Sequence, residues 1–197
     1  VRILISALWC CVLISPAAFA ETQSIFGFVL GEAINLPECS YDGFAGNTKI
    51  YDAFPPRTCV QDAAPLRGYA NPPRRIVFSK DEMPPIVKNW RMFILESAGR
   101  LIGVHFLTDG VDTQELVLNK LTEKYGQATK VDRLPVQNRM GARFQSIEAR
   151  WKLPGLVVTF TSTLNNLDSG EVFVDLPQAS ALREAWKASE RPRERGL

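Results

Sequence analysis

Between Asn89 and Leu176 the apolar residues change spacing twice, from two to about 3.6 and back to two, and few folds accommodate that order. "NWRMFILE" (Asn89–Glu96) and "RLIGVHFLT" (Arg100–Thr108), joined by "SAG", predict a β-hairpin. The next segment, "DTQELVLNKLTEKYG", places Val117, Leu118, Leu121 and Tyr125 on one helical face. Asp112 is positioned to cap this helix in partnership with Glu115, and Gly126 to end it. Alternation then resumes. Ile147, Ala149 and Trp151 point one way, while Glu148, Arg150 and Lys152 point the other. "LPG" turns the chain into "LVVTFTS", with Leu156, Val158 and Phe160 on its apolar face. After "NNLDSG", "EVFVDL" adds Val172, Val174 and Leu176.

Three successive antiparallel strands with one apolar face need cover, which the helix can supply. The predicted fold class is therefore α+β: a twisted antiparallel sheet of about five to seven strands with one helix (about 112–125) packed on one face. A short C-terminal helix, about Ser180–Glu190, sets Leu182 and Trp186 four residues apart and stops before Pro192. Upstream, "SIFGFVLG" (Ser24–Gly31) reads as a first strand and "RIVFS" (Arg75–Ser79) as another. Residues 32–74 between them are irregular and rich in proline, which points either to function or to short strands that pattern alone does not reveal.

The N-terminus supplies an address. Arg2 precedes an uncharged run from Ile3 to Ile14, and Ala18-Phe19-Ala20 follows Ser15-Pro16. These are the three regions of a secretory signal peptide, with an apolar core shorter than the roughly 20 residues that span a bilayer. Residues 1–20 are expected to be removed, taking Cys10 and Cys11 with them. Residues 21–190 then form a single α+β domain, and 191–197 ("RPRERGL") a frayed basic tail. The expected location is a bacterial periplasm, with secretion beyond it as the alternative, and no stable membrane insertion. The whole chain carries 23 Lys and Arg against 21 Asp and Glu, and the leader removes only Arg2, leaving 22 − 21 = +1. That balance gives no reason to expect a nucleic-acid partner.

Only Cys39 and Cys59 survive removal of the leader. A metal site would need further ligands, and His105 is the one histidine in the sequence. Redox pairs usually lie close together, as in C-x-x-C, whereas these are 20 positions apart. In an oxidising compartment the simplest reading is a disulfide clasping an irregular loop. Closing a loop of that size removes about 3 kcal/mol of unfolded-state entropy.

The "LNKLTEKYGQAT" helix and turn, followed by a meander containing Trp151, resembles the small periplasmic modules of the SmpA/OmlA (BamE-like) type. In those a helix leads through a Gly-x-Pro turn into antiparallel strands. Gly126, Gln127 and Ala128 occupy the matching turn here, with alanine where the pattern has proline. "FGFVLG", with Gly27 and Gly31, is also similar to openings of such modules. The resemblance covers about a third of the chain after the leader. It implies a non-enzymatic envelope protein and carries over no functional residue.

A search for chemistry begins at His105, which alternation groups with Leu101, Gly103 and Leu107, and which Glu96 or Asp109 could assist as a general base. The sequence has no G-x-S-x-G nucleophile motif. Asp81-Glu82 and Asp109/Asp112 are candidate carboxylate pairs for glycan hydrolysis. Each has a simpler role, as a polar approach to a proline turn or as a helix cap. Arg74, Arg75 and Lys80 cluster, as do Arg183, Lys187, Arg191, Arg193 and Arg195, but acidic residues are interleaved with the second group. No metal or cofactor is expected.

The remaining expectation is a non-enzymatic periplasmic protein that binds another envelope or secreted protein as an adaptor, inhibitor or immunity-like module. Tyr41, Phe44, Tyr51 and Phe54 in the clasped loop are its candidate anchors or, equally, a mini-core beneath the disulfide. The alternative is a hydrolase acting on envelope glycans. Processing and oxidation are testable together by intact mass before and after reduction and alkylation. The mature chain should begin at Glu21 and gain two alkyl groups only after reduction. A retained leader, a lipid adduct or two free thiols would contradict the corresponding expectation.

Overall fold

The alternating segments fold into one antiparallel sheet whose apolar residues converge on a single helix. The computed structural model describes residues 23–39, 54–62 and 74–190, with the backbone alone for 186–190. Strands β1 (Ser24–Ile25) and β2 (Phe28–Val29) pair with each other. The large sheet contains β3 (Cys59–Asp62), β4 (Arg74–Val77), β5 (Arg91–Ser97) and β6 (Arg100–Thr108). Helix α1 (Gln114–Tyr125) follows β6 through a tight turn at Gly110–Thr113. The chain continues through β7 (Lys130–Gln137), β8 (Arg143–Leu153), β9 (Leu156–Thr161) and β10 (Gly170–Asp175) to helix α2 (Pro177–Glu190). The eight strands lie in the order β3-β4-β5-β6-β10-β9-β8-β7.

The core lies between one face of this sheet and α1. Val117, Leu121 and Tyr125 are buried, as are Met92, Ile94, Val104, Phe106, Ile147, Trp151, Val158, Phe160, Val172 and Val174. Leu118 and Leu176 are partly buried against them. Tyr125 donates its hydroxyl hydrogen to the Ser24 carbonyl (2.8 Å), joining α1 to the first hairpin, and its burial pushes the phenol pKa well up. The Cys39–Cys59 disulfide is present with its Cα atoms 5.0 Å apart.

Five details depart from the sequence reading. The sheet has eight strands, because β3 and β7 were not anticipated. "SIFGFVLG" is a hairpin and not one strand, since Phe26 and Gly27 adopt φ of 50° and 83° and reverse the chain. Its apolar residues serve as a plug, with Ile25 and Leu30 buried and the Phe26 ring 5.3 Å from that of Phe106. The N-cap of α1 is Thr113, without a side-chain cap bond, and Asp112 lies within the preceding turn. Glu115 bonds Arg133 of β7 rather than closing a capping box. Finally, a register shift against β5 puts Leu101 in the core cluster, away from His105.

The C-terminal helix also presents a different face from the expected one. It begins at Pro177, a residue suited to a first helical turn, and Leu182 is exposed. Ala179 and Arg183 face the sheet instead, because the sheet there offers Gly103 and Asp175. A Cβ on Gly103 would lie 2.3 Å from Asp175 Oδ1 and 3.1 Å from Ala179 Cβ, so only glycine leaves room for the helix. Arg183 then donates to Asp175 through Nε (2.8 Å) and Nη2 (3.2 Å). The side chain of Trp186 lies outside the described residues.

The burial of α1 generates a paired prediction. Leu121→Ala should destabilise the protein by about 2–5 kcal/mol, as a large-to-small change in a filled core. Glu123→Ala, on the exposed face, should change stability by less than about 0.5 kcal/mol. Urea midpoints distinguish these outcomes, and equal midpoints would contradict the packing described.

Candidate functional site

The two edges of the large sheet are finished differently. At β3 the chain runs back alongside: Cys39 N–H donates to the Val60 carbonyl (2.8 Å), and Val60 N–H to the Pro37 carbonyl (2.9 Å). Glu38 and Val60 form a parallel bridge, and the disulfide locks that segment to the edge. At β7, among the described residues, β8 is the only paired neighbour.

Strand β8 continues beyond the reach of β9, whose pairing with it spans Glu148–Leu153. Beyond that pairing the β7–β8 hairpin is a two-stranded ribbon, exposed at Arg143, Phe144 and Gln145 and buried on β8 only from Ser146 inward. Leu134 and Phe144 are exposed apolar residues on it, Val131 is exposed nearer the base opposite Ala149, and Met140 at the tip is 92% exposed. Local bonds nevertheless hold this ribbon in one shape. Asn138 Oδ1 accepts from Met140 N–H (3.0 Å) and Ala142 N–H (2.9 Å), closing the tip. At its base Ile147 N–H donates to Ser162 Oγ (2.8 Å), and Gln114 Nε2 donates to the Gln145 carbonyl (3.0 Å). Arg133 forks onto Glu115 of α1 and holds that carboxyl below its usual range.

The direction of the free backbone groups follows from the ladder. Asn138 N–H donates to the Ala142 carbonyl (3.0 Å). Counting back in twos, Val136, Leu134, Asp132 and Lys130 exchange bonds with β8, while Gln137, Pro135, Arg133 and Val131 point theirs outward. Pro135 thus lacks a donor at a position where the β7–β8 ladder needs none. The open edge retains outward N–H groups on Val131, Arg133 and Gln137, and outward carbonyls on all four residues.

The residues singled out from sequence are dispersed. Tyr41, Phe44 and Tyr51 lie outside the described residues. Phe54 is half-buried with its ring 4.8 Å from that of Trp90. His105 meets neither Glu96 nor Asp109: Glu96 bonds Arg74, and Asp109 lies 3.4 Å from Lys88. Glu82 accepts from Thr58 N–H and the Ser79 hydroxyl, and the Thr58 side chain, then the Ser79 hydroxyl and the Thr58 N–H, hold its carboxyl below its usual value.

His105 instead sits on the sheet face opposite α1, stacked between Phe93 (5.8 Å) and Phe173 (4.4 Å). Its Nε2 is 3.2 Å from Glu171 Oε2, yet the two are not aligned for a hydrogen bond. The Arg183 guanidinium lies over the Phe173 ring at 4.5 Å. This stack borders an open concavity of about 300 Å³ bounded by Lys130, Arg150, Thr159, Glu171 and Arg183. The stack joins α2 to the sheet through Arg183 and Phe173. Among the described residues no group of three or more His, Cys, Asp or Glu side chains is placed to hold a metal ion. None of the described helices is long and apolar enough to cross a membrane.

Comparison with known proteins found no match among family models, curated proteins or solved structures.

Proposed function

We propose that this chain is a non-enzymatic binding protein of the bacterial cell envelope, and that its protein partner docks by adding a strand along β7. The observation that carries this reading is the contrast between the two sheet edges. One is locked by a disulfide-bonded segment, while the other is held in extended form and unpaired among the described residues. An open edge offers main-chain bonds to an extended segment, and the side chains around it supply selectivity. A shape fixed before binding lowers the ordering cost of association. Pro135, Lys130 and Arg133 limit indiscriminate self-pairing of the kind that exposed edges invite.

The envelope part of the proposal rests on the secretory leader and the Cys39–Cys59 bond, which suits an oxidising compartment. The resemblance of the helix and meander to small periplasmic modules supports the same assignment. The glycan-hydrolase alternative has less support, because Glu82, Glu96 and Asp109 are engaged in separate structural contacts.

Site-specific photocrosslinking in secreting cells tests the proposal. A crosslinker at Val131 or Phe144 should give a discrete protein adduct, and one at Glu123 on the outer face of α1 should not. No adduct at either ribbon position, or the same adduct from all three, would contradict docking at β7.

A further inference from the structure

The charge pattern of the ribbon specifies the kind of segment that fits this edge. Residues 133–147, "RLPVQNRMGARFQSI", contain Arg133, Arg139 and Arg143 and no carboxylate. That run carries +3 in a chain of net charge +2, so the remainder carries 2 − 3 = −1. Arg133 is paired with Glu115, whereas Arg139 and Arg143 are exposed and have no partner among the described residues. At the other end of the strand Lys130 lies opposite Arg150, with Lys152 two residues beyond on the same face. Asp132 and Glu148 partly offset that second group. Between the two groups lies an apolar stretch in which Val136 is opposite Phe144 and Leu134 is its same-face neighbour.

Beside the tip is a wide cleft of about 550 Å³ between the ribbon and the β9–β10 connection, lined in part by Val136, Met140, Leu164 and Leu167. Gln137, Asn138, Arg139, Asn166 and Asp168 also line it, so it can receive either a polar or an apolar side chain from a segment lying along β7.

Resting on the docking proposal above, we infer that the partner presents an extended acidic segment of about eight residues, the length of β7. Carboxylates at its tip-side end pair with Arg139 and Arg143, and apolar residues in its middle cover Leu134, Val136 and Phe144. A protein strand fits better than a nucleic acid or an anionic lipid surface. Only a peptide backbone pairs in register with the outward N–H and carbonyl groups of Val131 and Arg133, while its apolar side chains cover Leu134, Val136 and Phe144.

Fluorescence anisotropy with defined probes provides the test. The first probe is a labelled octapeptide with glutamates at both ends and alternating valine and threonine between them. The second is identical except that lysine replaces each glutamate. A single-stranded DNA 20-mer and phosphatidylglycerol vesicles complete the set. The acidic peptide should bind about tenfold tighter than the basic one, as expected for two well-placed charge contacts. Its affinity should fall with added salt. Arg139→Glu/Arg143→Glu should abolish the preference between the peptides at an unchanged urea midpoint. Val131→Pro removes an outward donor and should weaken both peptides while leaving the preference intact.

Equal affinity for the two peptides, or no binding of either, overturns the acidic-segment inference while crosslinking at Val131 can still stand. Acidic-peptide binding that Val131→Pro leaves unchanged contradicts docking along the edge, as does DNA or vesicle binding that displaces the peptide with the same affinity.

Discussion

Trp151 is fully buried, and its indole N–H donates to the Gly126 carbonyl at 2.8 Å. Gly126 is also the residue that closes α1, through its own N–H to Thr122. One side chain therefore packs in the core and ties the end of the helix to the C-terminal part of β8. An indole N–H buried without an acceptor is destabilising, so the helix end is held in this place as well as packed there. The position of α1 in turn presents Glu115 to Arg133 and Gln114 to the Gln145 carbonyl, the two braces of the projecting ribbon. The order of the proposed binding edge thus derives from the core.

Much of the fold was legible because burial on one side of a sheet leaves a period-two trace. Ile147, Ala149 and Trp151, then Leu156, Val158 and Phe160, are buried as their alternation indicates, and Glu148, Arg150 and Lys152 are exposed. The stripe of Val117, Leu121 and Tyr125 is buried as well. Strand β7 was illegible for the same physical reason in reverse. None of its residues is buried, so no period-two trace forms, and Pro135 argues locally against a strand until its donor-free side is known to face outward. The four-residue tip "NRMG" (Asn138–Gly141) between "KVDRLPVQ" and "ARFQSIEAR" was the one sequence signal that could have revealed it. The first hairpin was hidden because the apolar run through Phe26 conceals a positive φ.

Function was less legible than fold. Aromatic residues in an irregular loop attract attention in a sequence, yet Phe54, the one of the four that is described, packs on Trp90. His105 invites a catalytic reading, but its neighbours are the Phe93 ring of the adjacent β5 and a ring and a carboxylate of β10, far away in sequence. The edge contrast is a property of strand order, which no local pattern records. It also gives the disulfide a role beyond restraining a loop: Cys39–Cys59 fixes the chain along β3, leaving β7 as the edge open to a partner among the described residues.

Strand β7 points half of its backbone groups outward and, among the described residues, leaves them unpaired. Residue-resolved amide hydrogen exchange on the isolated chain tests this directly. Slow exchange is expected at Lys130, Asp132, Leu134 and Val136, whose N–H groups bond β8, and fast exchange at Val131, Arg133 and Gln137. Comparable protection of both sets would mean that the edge is already covered, and the account of an open docking strand would be wrong.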